Sequence, residues 1–169
     1  LRRRTMVIGG SAFILTAMGG WAAYSSVRPY HPGSPPDIAG MRFPLYDEQK
    51  VVYHVTFSGG FRNRNYRNLL QVARNHLNAV GEGFLDLRIL MQGDGLDLLL
   101  AAKSYPDLAR QIDQLKKCGV RFELCWNTVT SKGIDPALEL HGVKPEDFVG
   151  SAVAEVAALS QKGFVVIKL

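Results

Sequence analysis

Cys125 is the side chain on which chemistry can be built. It follows the run Val120-Arg121-Phe122-Glu123-Leu124, whose alternating side chains read as a short strand, and it opens Cys125-Trp126-Asn127-Thr128, whose polar members suit the start of a helix. In a parallel sheet, a thiol at such a corner lies on the carboxyl edge, where open α/β folds bind ligands. The helix start that follows favours thiolate over thiol. The pattern points to sulfur chemistry, and it fits equally well a small apolar side chain filling the core, as free cysteines often do.

Other side chains could serve such a thiol. Asn127 and Thr128 can cap the helix and donate hydrogen bonds to a polar ligand. Ser58-Gly59-Gly60 and Gly93-Asp94-Gly95 each follow a predicted strand at the same edge, where glycine either lets backbone amides approach a ligand or only makes a tight turn. Arg62, Arg64 and Arg67 fall in the loop after the first strand and at the start of the next helix, where cations oppose the helix dipole. An anion such as a sulfur oxyanion would relieve that conflict; a solvated basic loop is the plain alternative. His54 and His76 read as hydrogen-bonded structural residues, and His141 stands in irregular sequence. No metal-ligand spacing, Walker loop or triad pattern occurs, so neither a metal nor a cofactor is expected.

The second cysteine, Cys118, ends the helix before the strand that Cys125 ends. At about 3.3 Å per strand residue the two are on the order of 20 Å apart. A disulfide needs Cα atoms within about 7 Å, so the pair is expected to be unbonded and Cys118 to pack at a helix end.

These residues need a frame, and strand and helix alternate over residues 48–169. Residues 50–57 form a β-branched and aromatic first strand closed by Ser58-Gly59-Gly60. Leu69, Leu70, Ala73, Leu77 and Val80 repeat at helical spacing before Gly81. Residues 84–91 read as a second strand, followed by a short apolar helix over 96–101 and another from Pro106 to near Gly119. Residues 120–124 are the third strand. A short helix to Lys132, an irregular stretch through His141, a brief strand near Phe148-Val149, an Ala-rich helix over 151–162 and a final strand over 164–169 complete the series. Alternation of this kind predicts an α/β fold: a three-layer α/β/α arrangement around a mostly parallel sheet of about five strands.

Ahead of that domain the chain changes character twice. Arg2-Arg3-Arg4 precedes an apolar run to Ala23 diluted by Gly9, Gly10, Gly19 and Gly20, which resembles a twin-arginine export signal. Residues 6–23 are also just long enough for a membrane anchor. Either way the domain is expected outside the cytoplasmic membrane, periplasmic or tethered, with membrane contact only through residues 1–23. Residues 24–47, with Pro29, Pro32, Pro35, Pro36 and Pro44, read as a linker or extended arm. Of 20 basic and 15 acidic residues, those from residue 48 onward include 15 and 13, so the domain is only +2. That is not a nucleic-acid-binding composition.

The stretch Val-Arg-Phe-Glu-Leu-Cys-Trp-Asn-Thr-Val-Thr-Ser-Lys-Gly over 120–133 resembles the cysteine-bearing segment of the DsrE/DsrF-like (DsrEFH, YchN-like fold) proteins. So do Asn68-Leu69-Leu70 with Asn75-His76-Leu77-Asn78, Gly93-Asp94-Gly95 before Leu96-Asp97-Leu98-Leu99, and Ser151-Ala152-Val153-Ala154-Glu155 leading to Gly163-Phe164. Together the matches cover about the last 120 residues. The resemblance implies trimers or hexamers and a sulfur relay in which Cys125 carries a persulfide between donor and acceptor proteins. Such a relay cysteine needs a lowered pKa and exposure. This chain differs from the cytoplasmic relays in its export-like leader. A non-catalytic, oligomeric binding module of the cell envelope, acting on a small ligand or a protein, is the alternative. Leu98-Leu99-Leu100 cannot all face one sheet at helical spacing, which adds a second reason to expect a homo-oligomer.

Overall fold

The computed structural model describes residues 45–169. The export segment, and the Pro-rich stretch as far as residue 44, lie outside the described residues. Five strands, β1 (Gln49–Val55), β2 (Leu85–Met91), β3 (Arg121–Cys125), β4 (Phe148–Val149) and β5 (Val165–Lys168), form one sheet in the order β4-β3-β2-β1-β5. Every pairing is parallel. Six helices connect them: α1 (Arg64–Val80), α2 (Asp97–Ser104), α3 (Pro106–Lys117), α4 (Trp126–Lys132), α5 (Pro136–Glu139) and α6 (Ala152–Gln161).

The strand order explains the layers. The chain steps from β1 to β2 to β3 to β4 in one direction, then returns past all of them to place β5 beside β1. Crossovers of a parallel sheet share one hand, so reversing direction moves the connecting helix to the opposite face. Accordingly α1 to α4 contribute to a large core with Val51, Tyr53, Leu87, Ile89, Phe122 and Leu124 on one face. The other face carries a small core of Val52, Leu90 and Cys125 under Ala152 and Leu159 of α6 and the following Phe164. Ile89, Leu90 and Met91 in succession are buried, as expected of a central strand covered on both faces.

Two local readings are revised. The stretch after Lys132 contains a helical turn, α5, because Asp135 caps it by accepting from the N–H groups of Ala137 (2.9 Å) and Leu138 (3.2 Å) while Pro136 takes its first position. The leucines of α2 do not require a second surface. Leu98 and Leu99 are fully buried and Leu100 is half-buried within the chain, since α2 is wrapped by α3, α5 and the Gly93–Leu96 turn.

Candidate functional site

Adjacent strands β3 and β4 send their chains to opposite faces, β3 into α4 on the thick side and β4 into α6 on the thin side. The carboxyl ends of such a pair open into the crevice where α/β folds place ligands. Cys125 stands there as the last residue of β3, in register with Val149, and serves as the backbone cap of α4. Trp126 and Phe148 meet edge to face across the mouth, ring centres 5.6 Å apart, with Trp126 largely exposed.

The sulfur is held by donors from two elements. The Ala152 N–H at the start of α6 points at Cys125 Sγ at 3.4 Å. Burial by itself pushes the thiol up, but the Ala152 N–H, the Thr128 hydroxyl and the backbone N–H groups of Thr128 and Asn127 outweigh it and bring the thiol below the ordinary cysteine value. The thiolate is therefore easier to form here than on an ordinary cysteine, which suits a nucleophile. The exposure expected of a relay cysteine is not met: Cys125 is 2 % exposed, because α6 lies across it.

Thr128 does more than sit near the thiol. Its buried hydroxyl also accepts the Gly93 N–H at 3.1 Å, tying the loop after β2 to α4. Asn127 is exposed and uses its backbone N–H toward the Gly150 carbonyl at 3.4 Å; no side chain caps α4. Asp94 is engaged on both sides. Its carboxylate pairs with Lys132 at 3.2 Å and its carbonyl accepts the Tyr66 hydroxyl at 2.5 Å. Gly95 lies against the Val55 carbonyl with no room for a Cβ, whereas Gly93 has φ +57° and open space.

The remaining candidates gather at the end of β1, two strand spacings or roughly 10 Å along the edge. A Cβ on Gly59 would meet Asn63 Oδ1 at 2.6 Å and the Tyr66 ring at 2.7 Å, and Gly60 has φ +64°. Arg67 is occupied by Asp107 at 2.8 Å and by the Arg62 carbonyl. Arg62 lies over the Phe61 ring, and Arg64 is exposed at the start of α1. Thus Gly93, Thr128 and Cys125 come together, while the three arginines stand apart from the thiol. The histidines among the described residues are hydrogen-bonded: His54 to Gln92 at 2.9 Å, His76 to Tyr53 at 2.7 Å and Gln49 at 2.8 Å, and His141 to Asp113 at 2.9 Å. Both cysteines are free thiols.

Sequence reasoning missed the other half of the thiol's surroundings. Arg88 and Glu123 form a 2.9 Å ion pair on the thin face, with Glu155 of α6 at 3.9 Å from the same guanidinium nitrogen. Glu123 is two residues before Cys125, so it shares its face; the alternation in 120–124 marks that face as polar but not as covered. Burial raises the Glu123 carboxyl above its ordinary range, with Arg88 only partly offsetting it.

The DsrE/DsrF-like family matches residues 50–169 of the chain. No curated protein resembles it closely enough to match. Among solved structures, a protein of unknown function from Methanobacterium thermoautotrophicum aligns with a TM-score of 0.59 at 24% identity, over 72% of this chain and 100% of that one. The ychN protein from E. coli aligns with a TM-score of 0.49 at 19% identity, over 72% and 99%. The likeness to the archaeal protein is one of fold.

Proposed function

The chain belongs to the DsrE/DsrF-like family, and from that membership and the setting of its thiol we propose that it is an exported sulfur carrier, holding a transferable sulfur atom on Cys125 as a persulfide. The observation that carries the reading is the Cys125 sulfur in the β3–β4 crevice, receiving the Ala152 N–H at 3.4 Å with the Thr128 hydroxyl and backbone amides beside it. The thiolate attacks the outer sulfur of a donor persulfide. A new S–S bond forms at Cys125 as the donor's S–S bond breaks, and the donor leaves as its thiolate with no net change in electrons. An acceptor thiolate repeats the step in the opposite sense. The N–H and hydroxyl donors at Sγ stabilise the thiolate that attacks the donor and that is released again when the sulfur is passed on.

Incubating the reduced protein with thiosulfate or polysulfide and taking its intact mass tests this. Wild type is expected to gain one sulfur atom, with sulfite as the leaving group when thiosulfate is the donor. Cys125→Ser should gain none. No gain on wild type, or an equal gain on the variant, rejects the carrier. Export is supported by Arg2, Arg3 and Arg4 ahead of the apolar run, outside the described residues. Replacing Arg3 and Arg4 by lysine should hold the protein in the cytoplasm; unchanged arrival in the periplasm rejects the twin-arginine route.

One observation favours a second reading, a non-catalytic binding module of the cell envelope: the thiol is buried among Val52, Leu90, Ala152 and Leu159 as an apolar core side chain would be. On that reading Cys125→Ala leaves partner or ligand binding intact.

A further inference from the structure

The thin face of the sheet carries a charge cluster that a thiol carrier does not by itself require. Arg88 Nη1 is 2.9 Å from Glu123 Oε1 and 3.9 Å from Glu155 Oε1, its Nε is 3.9 Å from Asp86 Oδ1, and its guanidinium lies 4.8 Å from the ring centre of Phe164. Arg88 Nε and Glu123 Oε2 are buried without a hydrogen-bond partner. Replacing such a pair by apolar residues of similar size is often neutral or stabilising, so a stability role accounts for it poorly. A role in fixing geometry accounts for it better.

The contacts say which geometry. Glu123 precedes Cys125 by two residues on the same strand face. Glu155 stands one helical turn beyond Ala152, whose N–H meets the sulfur, and Phe164 lies three residues past the end of α6, after the Lys162-Gly163 turn. Arg88 therefore reaches the strand of the thiol, the helix that covers it and the turn that leads from that helix into β5. Apolar packing holds α6 through few side chains, Ala152, Val156 and Leu159 against Val52 and Leu90. Only Ala152 and Leu159 are buried along it, Val153 faces solvent at 62 % exposure, and Gly150 and Gly163 flank it. Its N-cap residue, Ser151, makes no side-chain cap bond.

We infer that Arg88 is a positioning residue for Cys125: by holding Glu155 and Phe164 it seats α6 so that the Ala152 N–H stays on the sulfur and the thiol stays covered. The inference rests on the reading of Cys125 as a reactive thiol. The charged and titratable groups on this face of the sheet are Asp86 and Arg88 of β2, Arg121 and Glu123 of β3, Glu155 of α6, Lys50 and His54 of β1, the latter bound to Gln92, and Lys168 of β5, in register with His54. The thiol therefore also feels their charges directly, and a test must separate charge from seating.

Glu155→Ala separates them by sign. Removing a negative charge from this face stabilises a thiolate through space and lowers the midpoint of its titration. Unseating α6 withdraws the Ala152 N–H and raises that midpoint. The measurement is the pH–rate profile for alkylation by iodoacetamide, on the full chain in a Cys118→Ser background, with thermal melts confirming that each variant folds. The expected result for Glu155→Ala is a midpoint shifted to higher pH and a severalfold faster plateau, because the sulfur is both less stabilised and less covered. A midpoint that falls or does not move overturns the inference. Arg88→Met raises the midpoint by either route and serves as the upper bound; Arg88→Lys, which keeps the charge but loses the planar fork, should fall between it and wild type. Sulfur uptake by the wild-type protein is scored separately. A protein that takes up no sulfur but shows the shifted profile rejects the carrier and retains Arg88 as the positioning residue, and the converse result does the opposite.

Discussion

At Cys125 two opposed influences meet, and the direction of the result makes the site testable. Burial disfavours the thiolate, but the surrounding donors win and hold the thiol below its ordinary value. An acid whose pKa is lower in the folded state contributes stability at high pH and loses it as pH falls. Here the contribution is absent below the folded-state pKa, grows as pH rises past it, and is complete above the unfolded thiol value of about 8.5. Denaturant titrations across that window should show wild type gaining on Cys125→Ala as pH rises; a constant gap between the two denies the thiolate its stabilisation. Thr128 is expected to matter through its hydroxyl, which faces both the sulfur and the Gly93 N–H. Thr128→Val keeps the shape and should raise the alkylation midpoint of Cys125, and Thr128→Ser should restore it. Equal midpoints in all three would remove Thr128 from the site.

Among the elements, the loop after β2 distinguishes a turn glycine from a packed one. Gly93 has φ +57° with nothing near the position of a Cβ, so Gly93→Ala pays mainly the left-handed backbone penalty, about 1–2 kcal/mol. Gly95 abuts the Val55 carbonyl, so Gly95→Ala must displace the end of β1 and should cost more, at least the upper part of the roughly 1–3 kcal/mol usual for overpacking. Thermal melts of the two variants check the order; a milder Gly95→Ala contradicts the packing. The β2–β3 pair gives a second comparison. Arg88→Met leaves the Glu123 carboxylate buried without its strongest partner and should cost about 3–5 kcal/mol, whereas Arg88→Met with Glu123→Leu should recover most of that loss. A double variant as unstable as the single one would place the cost in packing.

For the whole molecule, the unequal coverage of the sheet is the main consequence. One face is covered by most of the helices and the other by α6 alone, with Val153 outward on α6; at the sheet edge β5 leaves Val165, on the face of Val51, 60 % exposed, and Val166 and Leu169 are also exposed. Exposed apolar side chains beside an open sheet edge are what association between chains covers. Light scattering of the full chain is expected to give a mass above the monomer, and Val153→Lys with Val165→Lys to lower it; a wild-type monomer at micromolar concentration removes the expectation. No helix among the described residues is long and apolar enough to cross a membrane.

The sequence by itself determined what depends on neighbours a few residues away. The β-branched run of β1, the apolar stripe of α1, Pro106 opening α3 and the corner at Cys125 are all set by side-chain period and turn chemistry, and each was legible there. Five parallel strands followed from the alternation of these elements. The short α5 was missed because one capping aspartate and one proline carry little signal. Tertiary structure alone decided the strand order, and with it the return crossover that lays α6 over the thin face. That crossover buries Cys125 and Glu123, and it brings the Ala152 N–H to a sulfur 27 positions earlier in the chain. On the other face, packing of α3 and α5 around α2 is why Leu98 and Leu99 find cover within their own chain, among helices no local pattern could place. Alternation along a strand says that two faces exist, but which face a distant helix covers is a property of the path between them.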